Sequence, residues 1–163
     1  MDTSSALAFA GFAIACIAAA STGALFKPGD WYESLDRPPW RPPNWLFGPA
    51  WAVLYTTIAV SAWWVWRKAG FSGAALPLAI WAVQLVLNAA WSWLFFGLRR
   101  PDLAFIELVA LWLSIAATIV AFHAVEPAAA YLLLPYLGWV AFAGALNLSI
   151  ARRNPRTRDL GTA

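Results

Sequence analysis

The sequence predicts an all-α integral membrane protein: a bundle of five transmembrane helices whose long first loop acts as a lid. Three observations carry this. Of 163 residues, 62% are apolar and 12% charged, against about 45–50% and 25% in a soluble domain. Five stretches reach the roughly 20 mostly apolar residues that a bilayer core requires. None alternates with a period of two, so helices rather than barrel strands must satisfy the backbone in lipid. The same composition excludes a soluble enzyme, a disordered tail and a nucleic-acid-binding domain. The one cysteine, Cys16, supports no disulfide framework, zinc cluster or haem-attachment motif.

The spans fall at about residues 5–26, 45–66, 76–98, 103–122 and 128–150, in one transmembrane domain over 1–163 with a basic tail at 151–163. Lys27-Pro28-Gly29-Asp30 ends the first. Pro38, Pro39, Pro42 and Pro43 forbid regular helix before Trp45. Residues 27–44 are thus the one long connection. They contain Trp31, Tyr32, Leu35 and Trp40, too apolar a set to float in water, and are expected to fold back over the bundle mouth.

In the second span Phe47, Trp51 and Tyr55 recur every four residues on one helical face. Trp63, Trp64 and Trp66, beside Arg67 and Lys68, read as an interface belt; Trp45 and Trp112 read as belt or packing. Gly70 and Gly73 mark the second link. In the third span Gln84, Asn88, Trp91 and Phe95 form another stripe. Amides this deep must face the interior, where they contact a ligand or bond across helices. Arg99-Arg100-Pro101-Asp102 is a tight third link, with Asp102 placed to cap the fourth helix. Glu107, about one turn further on, is expected to snorkel or to favour the helix N-terminus. His123 reads as interfacial and Cys16 as small apolar packing. After Glu126-Pro127, the fifth span places Trp139, Ala143 and Asn147 on one face. Pro135 should kink that helix and free a carbonyl.

Lys and Arg set the orientation. One face holds Arg67 and Lys68. The other holds Lys27, Arg37, Arg41, Arg99, Arg100, Arg152, Arg153, Arg156 and Arg158. The positive-inside rule puts the second face, with the loop and the C-terminus, in the cytoplasm and the N-terminus outside. Ala18-Ala19-Ala20 resembles a signal cleavage site, but Asp2 and the absence of a basic flank argue against cleavage.

The three stripes converge on a mostly aromatic pocket with a few amides. Such a lining suits a flat, apolar ligand with polar edge groups. A porphyrin answers that description, with Lys27, Arg37 and Arg41 near the mouth for its propionates. Gly11, Ala15, Ala19 and Gly23 form a smooth ridge along the first span, either packed inside the bundle or building a homodimer.

The segments WYESLDRPPWRPPNWLFGPAWAVLY, QLVLNAAWSWLFFG and PYLGWVAFAGALN, in that order, resemble the TspO/translocator protein family of tryptophan-rich sensory proteins and peripheral-type benzodiazepine receptors. The resemblance covers about residues 21–150. It implies binding of porphyrins (protoporphyrin IX or haem) or isoquinoline-type ligands with no required cofactor, and often a homodimer. Tyr32, Pro42, Gln84, Asn88 and Ala143 match the family's pocket positions. Trp51 and Trp139 match two tryptophans linked to light-dependent porphyrin breakdown, so they are catalytic only if an enzyme reading holds. The expected ligand-binding set is Tyr32, Trp40, Pro42, Phe47, Trp51, Tyr55, Gln84, Asn88, Trp91, Phe95, Trp139, Ala143 and Asn147.

The cholesterol consensus of some translocator proteins lacks its aromatic residue between Leu146 and Arg152, so steroid transport is not implied. Three functions compete: a porphyrin-binding sensory protein, a light- and oxygen-dependent degrading enzyme, and a porphyrin transporter. The sequence has no nucleophile–base pair, no P-loop and no paired inverted repeats, which favours binding.

Overall fold

The computed structural model describes residues 2–155, and every regular element among them is helical. The elements are α1 (Thr3–Leu25), α2 (Asp30–Glu33), α3 (Asn44–Gly73), α4 (Ala75–Ser92) running on into a π-helical turn (Trp93–Gly97), α5 (Pro101–His123), α6 (Pro127–Tyr131) and α7 (Leu134–Arg153). Five helices are long and apolar enough to cross a membrane, α6 and α7 together forming the last.

The bundle is built inside out relative to a soluble protein. Leu7, Ile14, Val86, Ile106 and Val120 are each about two-thirds exposed or more on its outer surface. The centre holds Ile58, Ala62, Val65, Ile115 and Phe122 beside buried polar groups. This is stable only where the surroundings are hydrocarbon, because backbone groups are satisfied within each helix and apolar side chains meet lipid. Buried hydroxyls are satisfied locally: Ser61 donates to the Ile58 carbonyl at 2.9 Å, and Thr118 to that of Ser114 at 2.8 Å.

Neighbours follow a ring. α1 packs on α3 and α4, α4 on α5, and α5 on α6 and α7; α3 meets α6 to close the circuit. Asp2 caps α1, its carboxylate accepting from the Ser5 backbone N–H at 2.9 Å.

Several boundaries differ from expectation. α3 stays helical past the expected end at 66 and is broken at Gly70, whose φ +68°, ψ −178° is not helical; a short turn to Gly73 follows beyond that kink, where the second link was expected. Asp102 lies one residue inside α5 instead of at its N-cap position, its carboxylate also meeting backbone N–H groups of the first turn. Arg100 occupies the cap position, Pro101 supplies a first residue needing no N–H partner, and Asp102 forms a bidentate pair with Arg100 at 2.8–2.9 Å. That pairing holds the Arg100 guanidinium above its ordinary value. Pro135 interrupts the last span, as expected, in the turn just before it. The chain breaks between α6 and α7, and Pro135 sits in the first turn of α7, where a missing N–H costs little. Arg156 and Arg158, counted for orientation, lie outside the described residues.

The long loop folds back as expected. Its helical turn α2 buries Tyr32, and Leu35 follows it inward. Both join Phe95, Ala104, Leu146 and Ile150 in a second apolar cluster at one end of the bundle. The loop is fastened to the end of α7. The Asp36 backbone N–H donates to Asn154 Oδ1 at 3.0 Å, and Asn154 Nδ2 donates back to the Asp36 carbonyl at 2.9 Å.

Candidate functional site

A chamber of about 650 Å³ lies between α1, α3, α4, α5 and α7. Its size falls in the range of small-molecule sites. The spacing of four on α3 brings Phe47, Trp51 and Tyr55 to one wall; α4 contributes Asn88 and Trp91; α7 contributes Trp139 and Ala143. Aromatic rings bridge α3 and α7. Phe47 meets Trp139 edge-on at 5.9 Å and Trp51 meets Tyr136 at 6.3 Å, while Trp51 lies tilted against Tyr55 at 5.4 Å. Ala143, with no bulk beyond Cβ, leaves the space between these rings open.

A chain of four polar side chains stiffens the wall. Tyr55 Oη donates to Asn88 Oδ1 at 2.5 Å, Asn88 Nδ2 donates to Tyr136 Oη at 2.7 Å, and Tyr136 Oη donates to Gln84 Oε1 at 3.0 Å. Tyr136 and Gln84 are almost wholly buried behind the wall. An amide carries two N–H donors and two acceptor lone pairs, so Asn88 keeps one of each for a guest.

The structure separates the other expected site residues from the chamber. Gln84 anchors the polar chain from behind it. Asn147 is committed to the helix frame, donating to the Pro101 carbonyl at 2.6 Å and accepting from Trp91 Nε1 at 3.2 Å. Phe95 stacks on Trp91 at 5.1 Å and packs against Tyr32 in the loop cluster. Trp40 rests on Phe142 at 5.8 Å and is half exposed. Tyr32, Trp40 and Pro42 all belong to the loop, and no residue of 27–43 lines the chamber. The loop covers the bundle end without reaching the cavity. Arg37 and Arg41 flank the Tyr32 ring at 5.2 and 5.9 Å, Arg37 also pairing with Glu33 and Arg41 with Asn44.

Glu107 overturns its expected role. Both carboxylate oxygens are shielded and lack a hydrogen-bond partner, as does Gln84 Nε2, so the side chain does not snorkel. The reason is its position: Glu107 is three residues from Ala104 and four from Leu111, both buried, and so borders the packed face of α5. The belt reading of Trp63 also gives way in part. Its indole N–H donates to Ser5 Oγ at 3.1 Å, its ring meets Phe9, and Arg67 lies over it at 4.9 Å.

The α1 wall was not foreseen. Phe9, Ala13, Cys16, Ile17, Ala20 and Gly23 all line the chamber. α1 is apolar on every side, so no polar–apolar contrast marks the face that turns inward. Its regular small residues were the available signal. Of the ridge Gly11, Ala15, Ala19 and Gly23, Ala19 is buried, Ala15 packs against the core, and a Cβ on Gly23 would lie 3.8 Å from Ser92 Oγ. Ala15 and Ala19 serve packing inside the bundle, while Gly23 stays exposed.

Comparison with known proteins adds a family to this geometry. The model of the TspO/MBR family matches residues 12–153. The chain is 47% identical over 156 residues to protein CrtK of Rhodobacter capsulatus, covering 93% of this chain and 96% of that one. It is 43% identical to the translocator protein of Bos taurus, over 84% of each chain. It is 40% identical to the tryptophan-rich sensory protein of Cereibacter sphaeroides, over 90% of each.

Proposed function

The chain belongs to the TspO/MBR family of multi-pass membrane proteins, and from that premise we propose that it binds a porphyrin-like tetrapyrrole inside the bundle and acts as a sensory or regulatory receptor for it. The observation that carries this reading is the chamber itself. Trp51, Trp91 and Trp139 come from three different helices to line one cavity, and Asn88 supplies polar contacts at its wall. Flat rings gain dispersion and stacking on such walls, and one amide can fix their orientation. Propionate groups would point toward the loop end, where Lys27 and the Arg37–Arg41 pair stand.

Orientation belongs to the same proposal: loop and C-terminus in the cytoplasm, by the distribution of Lys and Arg. A second reading, light- and oxygen-dependent porphyrin breakdown, draws on one observation: Trp51 and Trp139 line the same chamber.

Titration of the purified protein with protoporphyrin IX tests the binding reading. Saturable quenching of tryptophan fluorescence is expected, weakened in Trp51→Phe. Quenching that rises linearly without saturation would reject it. Illuminating the complex separates the second reading: porphyrin absorbance lost at an equal rate in Trp51→Phe/Trp139→Phe removes those rings from any breakdown.

A further inference from the structure

The chamber is shut at both bundle ends and open at one side. At the loop end, Tyr32 and Leu35 are buried against the bundle, and the Asp36–Asn154 pair of hydrogen bonds stitches the loop to α7. The Arg153 guanidinium adds a contact to the Asp36 carboxylate at 3.4 Å. At the opposite end, Ser5 and Phe9 of α1 hold Trp63 of α3, and Phe12 packs edge-on against Trp81 at 5.4 Å. Trp81 in turn donates to the Ile58 carbonyl at 3.2 Å. Side chains there, such as Ile58, Ala62 and Val65, have no exposure.

Below that clasp, the chamber-lining residues that are themselves exposed all come from these two helices. α1 and α3 run antiparallel, so the clasp at Phe9 and Trp63 sets the register. Ala13 then stands level with Ala59, Ile17 with Tyr55, and Ala20 with Ala52. All six line the chamber, as do Gly48 and Thr56, and Ile17 is 66% exposed, with Gly48, Ala52 and Thr56 exposed as well. Residues that border the cavity and the outside together mark an opening. Small residues on facing helices ordinarily let backbones touch. Here they bound a slot with one bulky side chain, Ile17, on its rim. The slot lies in the loop-side half of two helices apolar enough to span the bilayer, between their ends.

We infer that the guest enters and leaves the chamber sideways, through the slot between α1 and α3, so that the ligand class is a planar molecule dissolved in the bilayer rather than in water. This rests on the binding reading above. A membrane-dissolved guest reaches Trp51 and Trp139 without crossing the loop and without breaking the Asp36–Asn154 stitch.

The test follows protoporphyrin IX uptake by stopped-flow tryptophan quenching, with protein in phosphatidylcholine vesicles and porphyrin supplied from a second vesicle population. In one arm the slot is narrowed by Ala52→Phe or, separately, Thr56→Leu. In the other the loop is stapled by Asp36→Cys/Asn154→Cys joined with a short bis-maleimide, buried Cys16 staying in place. The slot predicts that uptake and release both slow by about tenfold in the narrowed variants, as expected when a barrier rather than the bound state changes. Stapling leaves both rates unaltered. Slowing by the staple, or unaltered rates in both slot variants, overturns the inference. Absence of saturable quenching in the unmodified protein instead removes the binding reading on which it stands.

Discussion

Ala143 decides how much room lies between Trp139 and the rest of the chamber. A phenyl ring at that position occupies the space a flat guest needs. Ala143→Phe is therefore expected to weaken protoporphyrin binding by about tenfold or more, roughly 1.4 kcal/mol, measured by fluorescence titration; unchanged affinity would place the guest elsewhere. Tyr136 is the hinge of the polar chain, with its hydroxyl both accepting and donating. Tyr136→Phe leaves Asn88 Nδ2 and Gln84 Oε1 without that partner and should cost about 1–3 kcal/mol, read as a lower melting temperature in detergent. Glu107 predicts the opposite sign. Its two shielded oxygens have no partner, and Glu107→Leu should stabilise the protein by about 1–3 kcal/mol on the same measurement. The rings and amides of α3, α4 and α7 were legible because Trp and Asn are conspicuous at regular spacing in an apolar run. The inward turn of Glu107 was not, because one turn of helix leaves snorkelling and burial equally compatible with the sequence.

Helix existence was written in the sequence more firmly than helix ends. Five apolar runs gave five spans, since no other backbone arrangement meets its hydrogen bonds in lipid. Ends depend on single residues. Gly70, read as a marker of the second link, breaks the α3 helix there through a backbone conformation that only glycine adopts without strain. Gly70→Ala should then destabilise by about 1–3 kcal/mol, although nothing lies within 4 Å of the added Cβ. Thermal unfolding checks this, and an unchanged midpoint would show that the segment relaxes freely. Pro135 acts in the same way. It breaks the last span into α6 and α7 one turn ahead of itself and so stands where the second of them begins. Asp102 lies inside α5 and not at its cap position, and its carboxylate takes the Arg100 guanidinium together with backbone N–H groups of the first turn.

At the scale of the molecule, the loop behaves as a cover and not as a wall. Its aromatic content announced that it would fold back, and Tyr32 and Leu35 do so. That it stops short of the chamber depends on contacts 118 residues apart, between Asp36 and Asn154, which no local pattern encodes. The α1 wall was similarly silent, because a helix apolar on all sides offers no direction. A structure of the protein with protoporphyrin IX bound tests the central claim most directly. The macrocycle is expected inside the bundle, against Trp51, Trp91 and Trp139 with Asn88 at its edge. A macrocycle seated on the loop, or on the lipid-facing surface with the chamber collapsed behind it, would contradict it.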